Sequence, residues 1–239
     1  MNHGRAQIYK SDQRGREESE MFRRLSTFNF GEYEEMSRNP FGSLLVLNDE
    51  TLGAGNNIFR HIEQDTEIVL LPLVGGLLYK DSLGNEDIIA TEEIRLVAAQ
   101  KGSHYQLINP YENDLINYLQ IWLRPAITDF TSQSEQKSFD FTIKNVLIPI
   151  FFPIDSSEST IISTANSYGF IGIYEGRKEG NYTLKNPKNG LFAFVINGAF
   201  EFENRLLESR DGLSICKIET AAFEALSENA ILLLLEIPL

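Results

Sequence analysis

The sequence predicts an all-β chain made of two tandem β-sandwich or barrel domains, and three observations predict it. Short apolar runs bounded by Gly, Asn, Asp and Pro recur along the 239 residues, which is the spacing of many short strands. No stretch sustains a helical period; "ESEMFRRLSTF" has room for one short turn, and little else competes. The order of elements also repeats. "VGGLLYKDSLGNEDIIATEEIRLVAA" runs strand, Gly, polar turn, strand, small-residue strand, and "INGAFEFENRLLESRDGLSICKIETAAFEAL" does the same later in the chain.

Taken in order, "GSLLVLN" is an early strong strand and "EIVLLPLVGGLLYKD" supplies two more. "KDSLGNED" (residues 80–87) sets Gly84-Asn85 between two apolar runs, a hairpin-turn signal. "NYLQIWL" closes the first domain. The polar stretch "RPAITDFTSQSEQKSFDF" then reads as a linker near residues 125–140, so the domains are expected at 1–127 and 128–239. "GLFAFVINGAFEFE" and "AILLLLEI" are strands of the second domain. The terminal "AILLLLEIPL" is about half the length a membrane span needs, and it carries Glu236. It reads as a buried strand.

The charge balance excludes one class of partner. With 21 basic and 34 acidic residues the net charge is −13, and no dense Lys/Arg run offsets it, so a nucleic-acid backbone would be repelled. The single cysteine, Cys216, rules out a disulfide framework within the chain and suits a reducing compartment. The opening "MNHGRAQIYKSDQRGREESEMF" has no apolar core of the kind a signal peptide carries. The expectation is a soluble cytoplasmic protein with no membrane partner.

The chain has three histidines, and two of them lie in matched pairs. "FRHIEQDTEIV" sets His61 two residues before Glu63, and "KGSHYQLI" sets His104 two before Gln106. Residues two apart on a strand share a face, so all four are expected to converge inside the first domain. Two imidazoles and a carboxylate form the ligand set of many non-haem iron sites. The same groups also suit a metal-free network in which Glu63 accepts hydrogen bonds from His61 or His104 and Gln106 completes the set. Other residues read more plainly: His3 as solvated, Cys216 and Trp122 as core, and Arg60 and Lys101, which lie near the two motifs, as surface charges first and as groups facing an anionic ligand second. The second domain has no histidine, and no metal is expected there.

The segments "STFNFGEYEE", "FGSLLVLNDETL", "EIVLLPLVGGLLYKDSLGN" and "YLQIWLRP" together resemble the pirin family, which includes bacterial pirin-like proteins with quercetin 2,3-dioxygenase activity. "KDSLGN" and "LQIW" are the most specific pieces. "LFAFVINGAFEFEN" and "LLLLEIPL" resemble the family's C-terminal cupin more loosely. The resemblance implies a bicupin, two β-barrel or jelly-roll domains of the cupin superfamily, with a divalent metal, iron first, in the N-terminal barrel only. The family's His-Pro-His segment falls on His61, Ile62 and Glu63, and its His-x-Glu segment on His104 and Gln106. Two ligand positions keep their residue and two do not. The implied metal set is therefore His61, Glu63, His104 and Gln106, with Glu63 either a ligand or a catalytic base toward a substrate hydroxyl. The implied function is a binding or regulatory protein with weak or lost catalysis, taking a small aromatic ligand or a protein partner. The alternative is a metal-dependent dioxygenase acting on a flavonol with O2.

Overall fold

The computed structural model describes residues 5–126, 132–153 and 161–239. Among them the helical content is a single 3-10 turn, Ser11–Gln13, which follows strand β1 (Arg5–Tyr9). Next come β2 (Gly15–Ser19) and β3 (Phe22–Ser26), an antiparallel hairpin where the sequence suggested a short helical turn. They are followed by β4 (Leu44–Leu52), β5 (Asn57–His61), β6 (Thr66–Val74), β7 (Leu77–Asp81) and β8 (Glu86–Ile89). β9 (Glu93–Ala99), β10 (His104–Ile108), β11 (Ile116–Leu123) and β12 (Gln133–Ser138) complete the first set. The second set is β13 (Ile148–Pro153), β14 (Ile161–Ser163), β15 (Tyr168–Tyr174), β16 (Glu179–Thr183) and β17 (Gly190–Asn197). It ends with β18 (Ala199–Phe202), β19 (Arg205–Glu208), β20 (Gly212–Cys216), β21 (Thr220–Ala225) and β22 (Ala230–Ile237).

Two compact units result, Gly15–Phe139 and a second formed by Met1–Arg14 with Asp140–Leu239. The second is assembled from both ends of the chain because β1 pairs antiparallel with β20, from Arg5↔Cys216 to Tyr9↔Gly212. The expected boundary at 127/128, like His3, lies outside the described residues.

The repeat read from the sequence is present in the strand order. The first unit has a seven-stranded sheet, β12-β9-β6-β11-β4-β3-β2, and a four-stranded sheet, β5-β10-β7-β8. The second has β1-β20-β17-β22-β15-β13-β14 and β16-β21-β18-β19. The central runs β9-β6-β11-β4 and β20-β17-β22-β15 correspond strand for strand. One expectation is corrected: among the described residues no sheet closes on itself, so neither unit is a hydrogen-bonded β-barrel. Closure comes from packing instead. Leu52, Ile68, Leu70 and Tyr118 of the first seven-stranded sheet meet Leu77, Tyr79, Tyr105 and Leu107 of its four-stranded partner in one apolar core. The second unit repeats this with Leu191, Leu213, Leu232 and Leu234 against Phe200, Phe202 and Phe223.

Part of the expected linker is a strand. Gln133–Ser138 pairs with β9 at the edge of the first sheet, although its residues, half-exposed to exposed, show no apolar alternation. Buried Arg95 explains this polar strand. Its guanidinium donates to Ser134 Oγ at 2.7 Å and Gln136 Oε1 at 2.9 Å, and lies over the Tyr79 ring at 4.4 Å. Cys216 also departs from the expected core position. It is half-buried at the end of β20.

The Gly84-Asn85 turn joins β7 to β8, with Gly84 at φ +90°, where a side chain would be strained. Asp81 organises it, accepting from the amides of Leu83 (2.9 Å) and Asn85 (3.0 Å) and from Asn85 Nδ2 (2.7 Å). Partial burial pushes the Asp81 carboxyl up, but the Asn85, Leu83 and Tyr79 hydrogen bonds outweigh it and hold the pKa below its ordinary value. A carboxylate depressed in the folded state stabilises it above its unfolded pKa, and that contribution disappears as pH falls through the folded value. Asp81→Ala is accordingly expected to cost about 1–2 kcal/mol near neutral pH and less in acid. Urea midpoints of both proteins at pH 7 and at pH 3 check this; a pH-independent difference would reject it.

Candidate functional site

The four residues singled out in the sequence lie on or beside the β5–β10 ladder, where His61 is the Cα partner of His104 and Phe59 of Gln106. The two imidazoles are neighbours, with ring centroids 6.0 Å apart, and the Phe59 ring lies 4.9 Å from each. Gln106 Nε2 donates to Asn57 Oδ1 at 2.8 Å. Glu63 follows the end of β5 and is exposed.

These groups do not point into the apolar interior as expected. His61 is exposed and His104 and Gln106 are half-buried, whereas Ile62, Tyr105 and Leu107 are buried in the core with Ile58 packed beside them. Strand register decides this, because a one-residue slip would put the imidazoles in the core and expose Ile62, Tyr105 and Leu107. Ile62, where the family carries proline, is 3% exposed and anchors that register.

The donor set does not fit a metal ion. Among the described residues no group of three or more His, Cys, Asp or Glu side chains could hold one. What remains is a pair of imidazoles packed on Phe59 and a neutral amide already bonded to Asn57. The expectation of metal binding, iron first, through His61, Glu63, His104 and Gln106 is therefore corrected.

The interior holds a polar constellation that sequence reasoning missed. Glu50 on β4 is fully buried and accepts from Tyr118 Oη at 2.8 Å, Gln120 Nε2 at 3.1 Å and Arg60 Nη2 at 3.3 Å. Gln120 Oε1 in turn accepts from Trp122 Nε1 at 3.1 Å and from Tyr105 Oη. Burial first, then the Glu50 carboxylate, pushes the Tyr118 hydroxyl well above its ordinary pKa, and burial does the same for Tyr105. Both stay protonated as donors. Arg60, read as a surface charge, turns inward to Glu50 with a side chain only 18% exposed. Lys101 is exposed, as expected. Trp122 packs against the core as expected, and its ring meets Phe30 edge-on at 5.4 Å.

The signal for this network was the period-2 alternation of β4 and β11. Asn48 and Glu50 fall at inward positions of "LLVLNDETL", and Tyr118, Gln120 and Trp122 at inward positions of "INYLQIWL".

Two tandem units, each pairing a seven-stranded with a four-stranded antiparallel-dominated sheet, define the class of protein: a bicupin. Residues 8–123 match the family described as Pirin, and residues 158–237 match the one described as Quercetinase C-terminal cupin domain. The chain belongs to the pirin family. It is 29% identical over 133 residues to the quercetin 2,3-dioxygenase of Escherichia coli K12; the match covers 56% of this chain and only 58% of that enzyme. The crystal structure of YhhW from Escherichia coli superposes with a TM-score of 0.89 at 21% identity, covering 98% of both chains. That of bacterial pirin YhhW in complex with nickel(II), from the same organism, gives 0.88 at 20% identity, covering 98% of this chain and 99% of that one. At such identities these structural likenesses establish the fold alone. Among the described residues no helix is long and apolar enough to cross a membrane.

Proposed function

We propose that this chain is a pirin-family bicupin that binds a small aromatic molecule, as a binding or regulatory protein whose catalysis is weak or lost. The observation that carries the reading is the state of the family's ligand positions. Two imidazoles pack on Phe59, Gln106 is bonded to Asn57, and no third His, Cys, Asp or Glu joins them among the described residues. A protein partner fits the same reading and is its regulatory form. The competing reading, a flavonol dioxygenase, is favoured by the likeness to the Escherichia coli quercetin 2,3-dioxygenase.

Elemental analysis of protein purified without chelator, then aerobic quercetin turnover with added Fe(II), separates the two. The expected result is metal well below one ion per chain and no turnover above the protein-free rate. One tightly held ion per chain, lost in His104→Ala together with quercetin turnover, would overturn the proposal.

A further inference from the structure

Beside the buried network lies a cleft of about 310 Å³, lined by Gly15, Glu17, Arg24, Ser26, Phe30 and Tyr33 among others. This is at the lower end of ligand-pocket sizes, enough for a one- or two-ring molecule. Its construction is specific. Gly15 allows the Tyr33 ring to lie directly on β2, since a Cβ there would come within 2.2 Å of the ring. Arg24 is 4% exposed, with its guanidinium 4.5 Å from the Phe30 ring centroid. The Arg60 guanidinium approaches the same ring at 5.8 Å, and Trp122 meets it edge-on.

The charges and free hydrogen-bonding groups narrow the ligand. Arg24 is the Cα partner of Glu50, so two guanidiniums flank one fully buried carboxylate that already accepts from Tyr118 and Gln120. Arg24's other carboxylate partner, Glu17, has a side chain 57% exposed, so the buried trio of Arg24, Arg60 and Glu50 carries one net positive charge, while the lining itself sets Arg16 and Arg24 against Glu17 and Glu32. One strand inward from Ser26 is its Cα partner Asn48, fully buried, whose amide nitrogen and oxygen both have no partner among the described residues. Arg60 Nε is likewise buried and unbonded. Unpaired buried polar atoms are costly; these two residues do not line the cleft but adjoin it through Ser26 and Phe30.

We propose that this cleft binds a small monocarboxylate with a flat apolar body. The guanidinium of Arg24 receives the carboxylate and the ring lies against Phe30. Acidic Glu17 and Glu32 among the lining residues disfavour a dianion such as a phosphate monoester. The proposal rests on the reading of the chain as a small-molecule binder and supplies its site and ligand class.

Trp122 is the only tryptophan and touches Phe30, so its fluorescence reports occupancy of the cleft. Titration of the full chain with benzoate, benzamide and benzylamine is expected to give a saturable change with benzoate, a weaker one with benzamide and none with benzylamine. Arg24→Gln should weaken benzoate by about tenfold or more, the loss of a charge-assisted hydrogen bond. Should that variant fail to fold, Arg24→Lys keeps the charge but loses the planar fork, and an intermediate affinity is expected. Lys101→Ala, at an exposed position away from the cleft lining, should bind as the parent does. No response to benzoate, an equal response to benzylamine, or affinity unchanged in Arg24→Lys and Arg24→Gln would overturn the site. A metal-free, inactive protein that ignores benzoate defeats this cleft and not the non-catalytic reading. A metal-loaded dioxygenase that binds benzoate through Arg24 does the reverse.

Discussion

Glu236→Leu is expected to destabilise the second unit by about 2–4 kcal/mol, although it places leucine in a strand that already reads as apolar. Glu236 is fully buried on β22, on the same inward face as Leu232 and Leu234. Its carboxylate accepts from Tyr182 Oη at 2.6 Å, the amides of Lys185 (2.8 Å) and Asn186 (2.9 Å), and Asn189 Nδ2 (2.8 Å). It thereby ties the segment after β16 to the terminal strand. Burial first, and then the bond to Glu236, pushes the Tyr182 hydroxyl far above its ordinary pKa, so it remains a donor. A leucine gains about 2 kcal/mol of apolar burial. Each donor left buried without a partner costs about 1–3 kcal/mol. Lys185 and Asn186 are exposed and can turn to water, but Tyr182 and Asn189 are buried, and their loss outweighs the gain. Glu236→Gln keeps one acceptor oxygen and should cost roughly half as much. Urea unfolding followed by near-UV circular dichroism measures both. A leucine variant as stable as the parent would show that hydropathy, not the hydrogen bonds, governs this position.

The same residue shows what a sequence reveals and what it hides. "AILLLLEIPL" was legible as a buried strand because nine apolar or proline positions dominate one glutamate. The strand's alternation could not say which groups would meet Glu236, since they come from a segment some fifty positions earlier. The Gly84-Asn85 hairpin was legible for the opposite reason: its determinants are local, and Asp81 closes on amides two and four residues away. The edge strand Gln133–Ser138 was read as linker because it has no apolar face. Its order depends on the distant Arg95, which no window around it contains.

The candidate site failed on parity. "NIFRHI" has apolar residues at both parities, Ile58 and Ile62 on one and Phe59 on the other, so it does not say which face His61 takes. "HYQLI" was more decisive. Tyr105 and Leu107 alternate with His104 and Gln106, and a half-buried strand of that pattern turns its polar set outward. Matching ligand positions by family motif picked out His61, His104 and Gln106 on the β5–β10 ladder, but motif alone does not state whether their face is lined by core or by solvent. Arg60 illustrates the converse error: its charge suggested the surface, while its parity with Ile58 and Ile62 pointed inward.

Glu50→Leu is the test of that interior, and it is expected to cost about 3–5 kcal/mol, the range for removing one member of a buried ion pair. The loss has three parts: the Arg60 guanidinium keeps its burial without its carboxylate, and Tyr118 and Gln120 each lose an acceptor. Because Arg24 is the Cα partner of Glu50 and its other carboxylate partner is largely exposed, two cations would then face each other with little compensation. Desolvation already lowers the Arg24 pKa, with the nearby Arg60 acting in the same direction and Glu50 opposing both. Removing Arg60 as well should relieve most of this. The double variant Glu50→Leu/Arg60→Met is expected to recover about half of the single variant's loss, the remainder belonging to the tyrosine and glutamine donors. Denaturation of the parent, both single variants and the double variant gives the coupling directly. Additivity within about 0.5 kcal/mol would mean the 3.3 Å contact carries no net interaction; strong coupling would establish Glu50 as the counter-ion that lets two arginines occupy the inside of a cupin.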